Sequence, residues 1–267
     1  MATKNACVLA LSVLMTSLVT HAAEYPLLTP ADHYNWTDVM EVPVGTFEGN
    51  QVLHFTGKNK PYKNDPKAAH VVTQYFKGAK ELDADADVLR FASDEVSITG
   101  GYYIELGVGT GRTINFLAAL NPTKKVYGFD SFEGLPTDWD KGDKIFKAGM
   151  FGLKRKDAKI PLVKNVIVYK GLFKEILPKF KNQVLKNNAI ALLHIDSDTY
   201  QSAKDSLNLL ADNIQPGTVI VFDEFYNYPR FEEHEWKAFQ EFIQERKLNV
   251  QYIAYNKMHE QVAIKII

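Results

Sequence analysis

Tyr103-Ile104-Glu105-Leu106-Gly107-Val108-Gly109-Thr110-Gly111-Arg112 is the stretch that decides the fold. An apolar run gives way to three glycines at alternate positions and then to a helix-length segment, Thr113–Leu120. The pattern is strand, tight turn, helix. Glycines let the chain turn sharply and let a ligand approach the backbone. The following helix start offers unpaired N–H groups and a positive dipole end. A dinucleotide fingerprint reads G-x-G-x-x-G. Here the spacing is G-x-G-x-G, Arg112 stands at the fingerprint's last glycine, and Glu105 lies two places before the first. The bland alternative is a plain strand-to-helix turn; the acid and the strand context favour a nucleoside ligand.

Outward from this turn the pattern stays regular. Strand-like runs at Tyr102–Val108, Lys125–Asp130, Asn165–Lys170, Ile190–Asp196 and Thr218–Asp223 alternate with helix-length segments, including Phe173–Leu185 and Tyr200–Asn213. Apolar strands between helices predict a parallel sheet covered on both faces. In the segment Glu232–Glu245, Trp236, Phe239 and Ile243 form an apolar stripe that predicts one more core-facing helix. The last two strands, Asn249–Tyr255 and Gln261–Ile267, are joined by only Asn256–Glu260. A parallel crossover needs a dozen residues or more, so this pair must be an antiparallel hairpin. The expected organisation is an α/β domain over residues 100–267, a helical and loop extension over 23–99, and a separate leader over 1–22. A helix is expected at Pro66–Lys80. Asp83-Ala84-Asp85-Ala86-Asp87 starts like a calcium loop, but Val88 and Asp94 replace the required glycine and glutamate, so it reads as a solvated helix edge.

The leader has a basic start at Lys4, an apolar run from Ala6 to Val19 and a small-residue exit at Ala22-Ala23. Those are the parts of a secretory signal peptide; the alternative is an N-terminal helix packed on the domain. The run is too short for a stable membrane span. With 31 basic and 32 acidic residues, the balanced charge excludes a protein that coats nucleic acid by charge alone. Cys7 is the single cysteine, which excludes an intramolecular disulfide and a cysteine zinc site.

Three strand ends carry acids. The second ends at Asp130, 23 residues after Gly107, where a carboxylate can accept from ribose hydroxyls. The fourth ends His194-Ile195-Asp196-Ser197-Asp198 and the fifth Val221-Phe222-Asp223-Glu224. In a parallel sheet these C-terminal ends open onto one crevice. Four carboxylates gathered there repel unless a cation or proton intervenes. Oxygen-only ligands suit a hard ion such as magnesium. Each acid also has a structural reading. Asp198 with Gln201 matches a capping box, Asp223 and Glu224 suit a solvated strand end, and His194 suits a hydrogen-bonded core histidine.

Glu105-Leu106-Gly107-Val108-Gly109-Thr110-Gly111 resembles the first motif of class I S-adenosylmethionine-dependent methyltransferases. Asp130-Ser131-Phe132-Glu133-Gly134-Leu135-Pro136, His194–Tyr200 and Pro216–Glu224 narrow the resemblance to the macrocin/mycinamicin-type O-methyltransferases, over about residues 100–267. The resemblance implies a Rossmann-like, doubly wound, seven-stranded sheet in the order 3-2-1-4-5-7-6, counted from Tyr102. It implies that Glu105, Gly107, Gly109 and Gly111 surround the methionine end of S-adenosyl-L-methionine, and that Asp130, with Ser131 beside it, holds the ribose. It also implies that Asp196, Asp223 and Glu224 bind Mg2+ and that Asp198 is the general base. One departure is Asp223-Glu224, where the family has paired aspartates.

The function so implied is methyl transfer to a hydroxyl of a small, sugar-containing acceptor, with no nucleic-acid partner and with a homo-oligomer left open. A nicotinamide-dependent oxidoreductase is the first rival; Arg112 and the terminal hairpin count against it. A non-catalytic exported protein on the same scaffold is the second. The leader points to export, whereas a methyl donor made in the cytosol points to the cytoplasm. Acceptor specificity is expected in the loops, with His33–Trp36 and Gly134–Phe151 as candidate lids.

Overall fold

The computed structural model describes residues 65–153 and 162–267, together with the two-residue strand Leu27–Leu28. The leader with Cys7, the segment His33–Trp36 and the basic run Lys154–Lys156 lie outside the described residues.

One mixed sheet organises the chain. Its strands are β1 (Lys80–Leu82), β2 (Tyr102–Leu106), β3 (Val126–Asp130), β4 (Val166–Lys170), β5 (Ile190–Ile195), β6 (Val219–Phe222), β7 (Val250–Asn256) and β8 (Val262–Ile266). They lie in the order β1-β7-β8-β6-β5-β2-β3-β4. The run from β6 to β4 is parallel, and β8 is antiparallel to both β6 and β7. The five-residue link between β7 and β8 forces that reversal.

The sheet therefore has eight strands rather than seven. The added edge strand β1 comes from the segment expected to be an extension, and pairs Lys80 with Ala254 and Leu82 with Asn256. The expected helix Pro66–Lys80 is correspondingly shorter. Helix α1 (Pro66–Tyr75) starts at Asp65, whose side chain accepts from the Lys67 N–H at 2.8 Å. It stops before Gly78, which turns the chain into β1 at φ 84°. Residue 99 is no packing boundary either: Val88, Leu89 and Ala92 of helix α2 (Asp85–Asp94) are buried in the same core as β6 and β8.

Period-two alternation sorts the sheet's side chains. Ile104, Leu106, Phe129, Leu193, Ile195 and Phe222 face α1 and helices α4 (Phe173–Phe180), α5 (Tyr200–Leu210) and α6 (Glu235–Arg246). Tyr103, Val126, Val168, Leu192 and Val221 face α2 and α3 (Arg112–Leu120). Phe129 packs 4.8 Å from Phe180 and 5.4 Å from Tyr169, ring to ring. Burying each such side chain stabilises the fold by about 1.5–3 kcal/mol. Both layers hold the C-terminal ends of β2, β3, β5 and β6 at one sheet edge, where the acids lie. Among the described residues no helix is long and apolar enough to cross a membrane.

Candidate active site

A cavity of about 900 Å³ opens at that edge. Gly107, Gly109, Asp130 and Ser131 line it, and so do Asp196, Asp198, Asp223 and Glu224. The glycine turn explains how the two sets come so close. Gly107, Gly109 and Gly111 all have positive φ, at 95°, 52° and 85°. A Cβ on Gly107 would sit 1.7 Å from the Asp196 carbonyl oxygen, so only glycine lets the turn after β2 lie against the end of β5. Gly111 caps α3 in the left-handed conformation.

Asp130 does more than edge the cavity. Its Oδ2 accepts from the Val108 and Gly109 N–H groups at 2.8 and 2.7 Å, and its Oδ1 accepts from the Phe132 N–H at 2.6 Å. One carboxylate thus fixes both turns that face the cavity. Ser131 Oγ accepts from the Glu133 N–H at 3.1 Å.

Glu105 departs from its implied role. Register places it opposite His194, and it is fully buried behind the cavity wall rather than on it. Its Oε2 lies 2.9 Å from His194 Nδ1, and its Oε1 accepts from Thr113 Oγ1 at 3.0 Å. Side chains in β2 alternate, so this acid points into the α3 layer and not toward a ligand at the strand's end. Burial raises its pKa, against the pull of His194. His194 is buried and hydrogen-bonded through Nδ1 to Glu105. Its Nε2 faces Asp223 Oδ1 at 3.8 Å, an ion-pair distance but not a hydrogen bond. Burial disfavours its charge, but Asp223, Glu105 and Asp196 together push its pKa up to about 10.

The carboxylates differ in environment. Burial and the neighbouring Asp223 raise Asp196 well above the carboxylate range. Asp223 is buried too, yet His194 and Arg112 hold its pKa below the ordinary value. Burial pushes Asp198 up to about 7, with Lys141 pulling the other way. Asp198 also sits at φ 61°, with the Thr199 N–H bonded 2.6 Å to the Ser197 carbonyl across it. A left-handed non-glycine residue costs about 1–3 kcal/mol, and such strain clusters at functional sites. Asp198 is not the helix cap that the capping-box pattern suggested. That position belongs to Thr199, whose Oγ1 accepts from the Ser202 N–H at 3.3 Å.

Four further groups belong to the site and were not assigned to it from the sequence. Arg112 is buried and pairs with Asp85 at 2.6 Å. Asp85 is therefore a cavity-wall residue and not a solvated helix edge. Lys141 donates to both oxygens of Glu260 at 2.7 Å and lies over the rings of Trp139 and Tyr228 at 4.6 and 4.4 Å. The short interval between the last two strands signalled a hairpin, but nothing in it signalled that Glu260 returns to Lys141.

Whether the acids suit a cation can be read from their unpaired atoms. Among the described residues, His194 Nε2, Asp223 Oδ1 and Glu224 Oε2 are buried without a hydrogen-bond partner. His194, Asp196 and Asp223 each offer one ligand atom within 4.8 Å of the others. The donor set fits a divalent cation, with Glu105 orienting the histidine from behind. The trio differs from the implied Asp196, Asp223 and Glu224. Glu224 lines the cavity but lies outside the trio, because adjacent residues in an extended chain point to opposite sides.

A glycine turn and an acid at the first two strand ends, and carboxylates at the next two, line one cavity at the C-terminal edge of a Rossmann-like sheet. The chain belongs to the macrocin-O-methyltransferase (TylF) family, whose model matches residues 66–258. It is similar to the 8-demethyl-8-(2,3-dimethoxy-alpha-L-rhamnosyl)-tetracenomycin-C 4'-O-methyltransferase of Streptomyces olivaceus, 24% identical over 180 residues covering 60% of this chain. The match spans 64% of that relative's length. Among solved structures, the calicheamicin methyltransferase CalS11 superposes with a TM-score of 0.55 at 20% identity, covering 68% of this chain and 78% of that one. At that identity the likeness shows the fold.

Proposed function

We propose that the protein transfers the methyl group of S-adenosylmethionine to a hydroxyl of a sugar-containing small molecule. One observation carries the reading: a single cavity joins the glycine turn and Asp130 to Asp196, Asp198, Asp223 and Glu224. Family membership and the rhamnosyl acceptor named for the Streptomyces olivaceus relative support it.

The donor's methyl carbon is already electrophilic, so the protein's work is alignment and deprotonation. The turn at Gly107–Gly111 and Asp130 hold the nucleoside end. The acceptor hydroxyl lies between the donor and Asp198, which takes its proton. The oxygen's electron pair then forms the new C–O bond as the C–S bond breaks, and the donor leaves as neutral S-adenosylhomocysteine. Holding the reactants in line contributes several kcal/mol, up to about 7–11 in the best intramolecular cases. A positioned base contributes about 10²–10⁴-fold. Asp196 and Asp223, with His194 and Glu224 adjacent, would hold a magnesium ion, which supplies Lewis acidity toward the acceptor oxygen.

The test is release of S-adenosylhomocysteine across a panel of rhamnosides and related deoxysugar glycosides, with magnesium and with chelator. Turnover on at least one glycoside is expected. Asp198→Asn should lose about 10²–10⁴-fold in turnover while the donor still binds. Full activity in that variant overturns the base assignment, and loss of donor binding by the folded wild type overturns the whole reading.

A further inference from the structure

Glu235, the first residue of α6, is fully buried, yet none of the steps above uses it. Its two oxygens go to two different strand ends. Oε1 accepts from the Ser197 N–H at 3.5 Å, a long bond, and Oε2 accepts from the Glu224 N–H at 3.1 Å. Ser197 lies between Asp196 and Asp198 after β5, and Glu224 follows Asp223 after β6. We propose that Glu235 is a positioning residue, a carboxylate clamp that sets the spacing between the β5 acids and the β6 acids.

Several observations lead there. β5 and β6 pair only as far as Ile195 and Phe222, with one further bond from the Asp223 N–H to the Ile195 carbonyl at 2.9 Å. Beyond that point the two ends diverge into separate turns, and Glu235 bonds to a backbone N–H of each. Among the described residues, no lysine, arginine or histidine forms an ion pair with it. A buried carboxylate without a cation is costly. Its cost is offset by hydrogen bonds that only a two-acceptor group can make. Glutamine has one acceptor oxygen, and its NH₂ would meet the second N–H donor to donor. Aspartate is a methylene too short to span both strand ends from the same helix position.

The proposal rests on the reading of the β5 and β6 acids as the reactive end of the site, and the experiment separates the two. Full-length wild type, Glu235→Gln, Glu235→Asp and Glu235→Leu are compared by hydrogen exchange at the Ser197 and Glu224 amides and by titration with manganese alone. A control variant, Glu241→Gln, lies on the same helix but away from the cavity. At least one of the two amides should exchange about tenfold faster or more in Glu235→Gln, the equivalent of losing one hydrogen bond. The rest of β5 and β6 should keep its protection. Manganese affinity should fall about 10–100-fold, the usual effect of removing a group that orients metal ligands. Glu235→Leu should be the most affected; if it does not fold, Glu235→Gln and Glu235→Asp decide. Wild-type protection at both amides in a folded Glu235→Gln overturns the clamp, as does an equal loss of protection across the whole sheet. If the wild type binds no manganese, the cation reading fails and the exchange result alone decides the clamp.

Discussion

Gly107→Ala is the perturbation that most sharply tests how the glycine turn and the end of β5 are held together. An added Cβ would lie 1.7 Å from the Asp196 carbonyl oxygen and 2.7 Å from its carbonyl carbon. A carbon–oxygen contact relaxes at about 3.3 Å, so the turn and the end of β5 must separate by roughly 1.6 Å. Three costs follow. Alanine in the left-handed region costs about 1–2 kcal/mol. Forcing a methyl group into packed structure costs about 1–3 kcal/mol. The Asp196 N–H to Leu106 carbonyl bond, 2.8 Å long, lies in the path of the separation, and its loss costs about 1 kcal/mol. The variant should therefore lose about 3–6 kcal/mol, a large part of a typical 5–15 kcal/mol stability. Gly109→Ala is the internal control, because nothing lies within 4 Å of a Cβ there and φ is 52°. It should lose only about 1–2 kcal/mol. Urea unfolding measures both stabilities, and calorimetric titration with S-adenosylmethionine measures both affinities. A Gly107→Ala protein as stable as Gly109→Ala, with wild-type donor affinity, would refute the reasoning.

Two more predictions follow from the buried acids. Glu105→Ala strips the partner from His194 Nδ1 and from Thr113 Oγ1 in a fully buried site, so it should destabilise by about 2–4 kcal/mol; donor affinity in the folded fraction should stay within a few-fold of wild type, and a selective collapse of donor binding would restore Glu105 to the cofactor's surface. Burial, opposed by Lys141, holds Glu260 up at about 7 against an ordinary value of 4.5. The native state therefore keeps a proton that the unfolded chain releases, and Glu260 lowers stability as pH rises from 4.5 to 7. The stability deficit of Glu260→Gln against wild type should shrink by roughly 2–3 kcal/mol over that interval, read from urea midpoints at both ends of it. A deficit that grows would mean that the ion pair with Lys141 outweighs burial.

The parallel run of strands and the terminal hairpin were legible in the sequence because local rules dictate them. Apolar strands between helices demand two covered faces, and a five-residue link cannot make a parallel crossover. The edge strand Lys80–Leu82 was not legible: three residues with two lysine or glutamate side chains carry no apolar alternation, and only β7's exposed edge makes them a strand. At the site, residues at strand ends could be placed because topology alone brings those ends together. What topology does not specify is which way each side chain turns. Glu105 fell on the inward side of the alternation, and Thr199 took the helix cap that Asp198 had seemed to fill. Glu260 and Asp85 reach the cavity, and Glu235 reaches the strand ends beside it, through contacts between elements far apart in the chain, 38 residues in the case of Glu235 and Ser197, and no periodicity encodes such contacts.

The most direct test of the central claim is calorimetric titration of the full-length protein with S-adenosylmethionine, with and without magnesium. Saturable binding at one site per chain in the micromolar range, retained in Asp198→Asn, is the predicted result. A folded wild-type protein that gives no binding heat under either condition, and shows no thermal stabilisation by the donor, would contradict it.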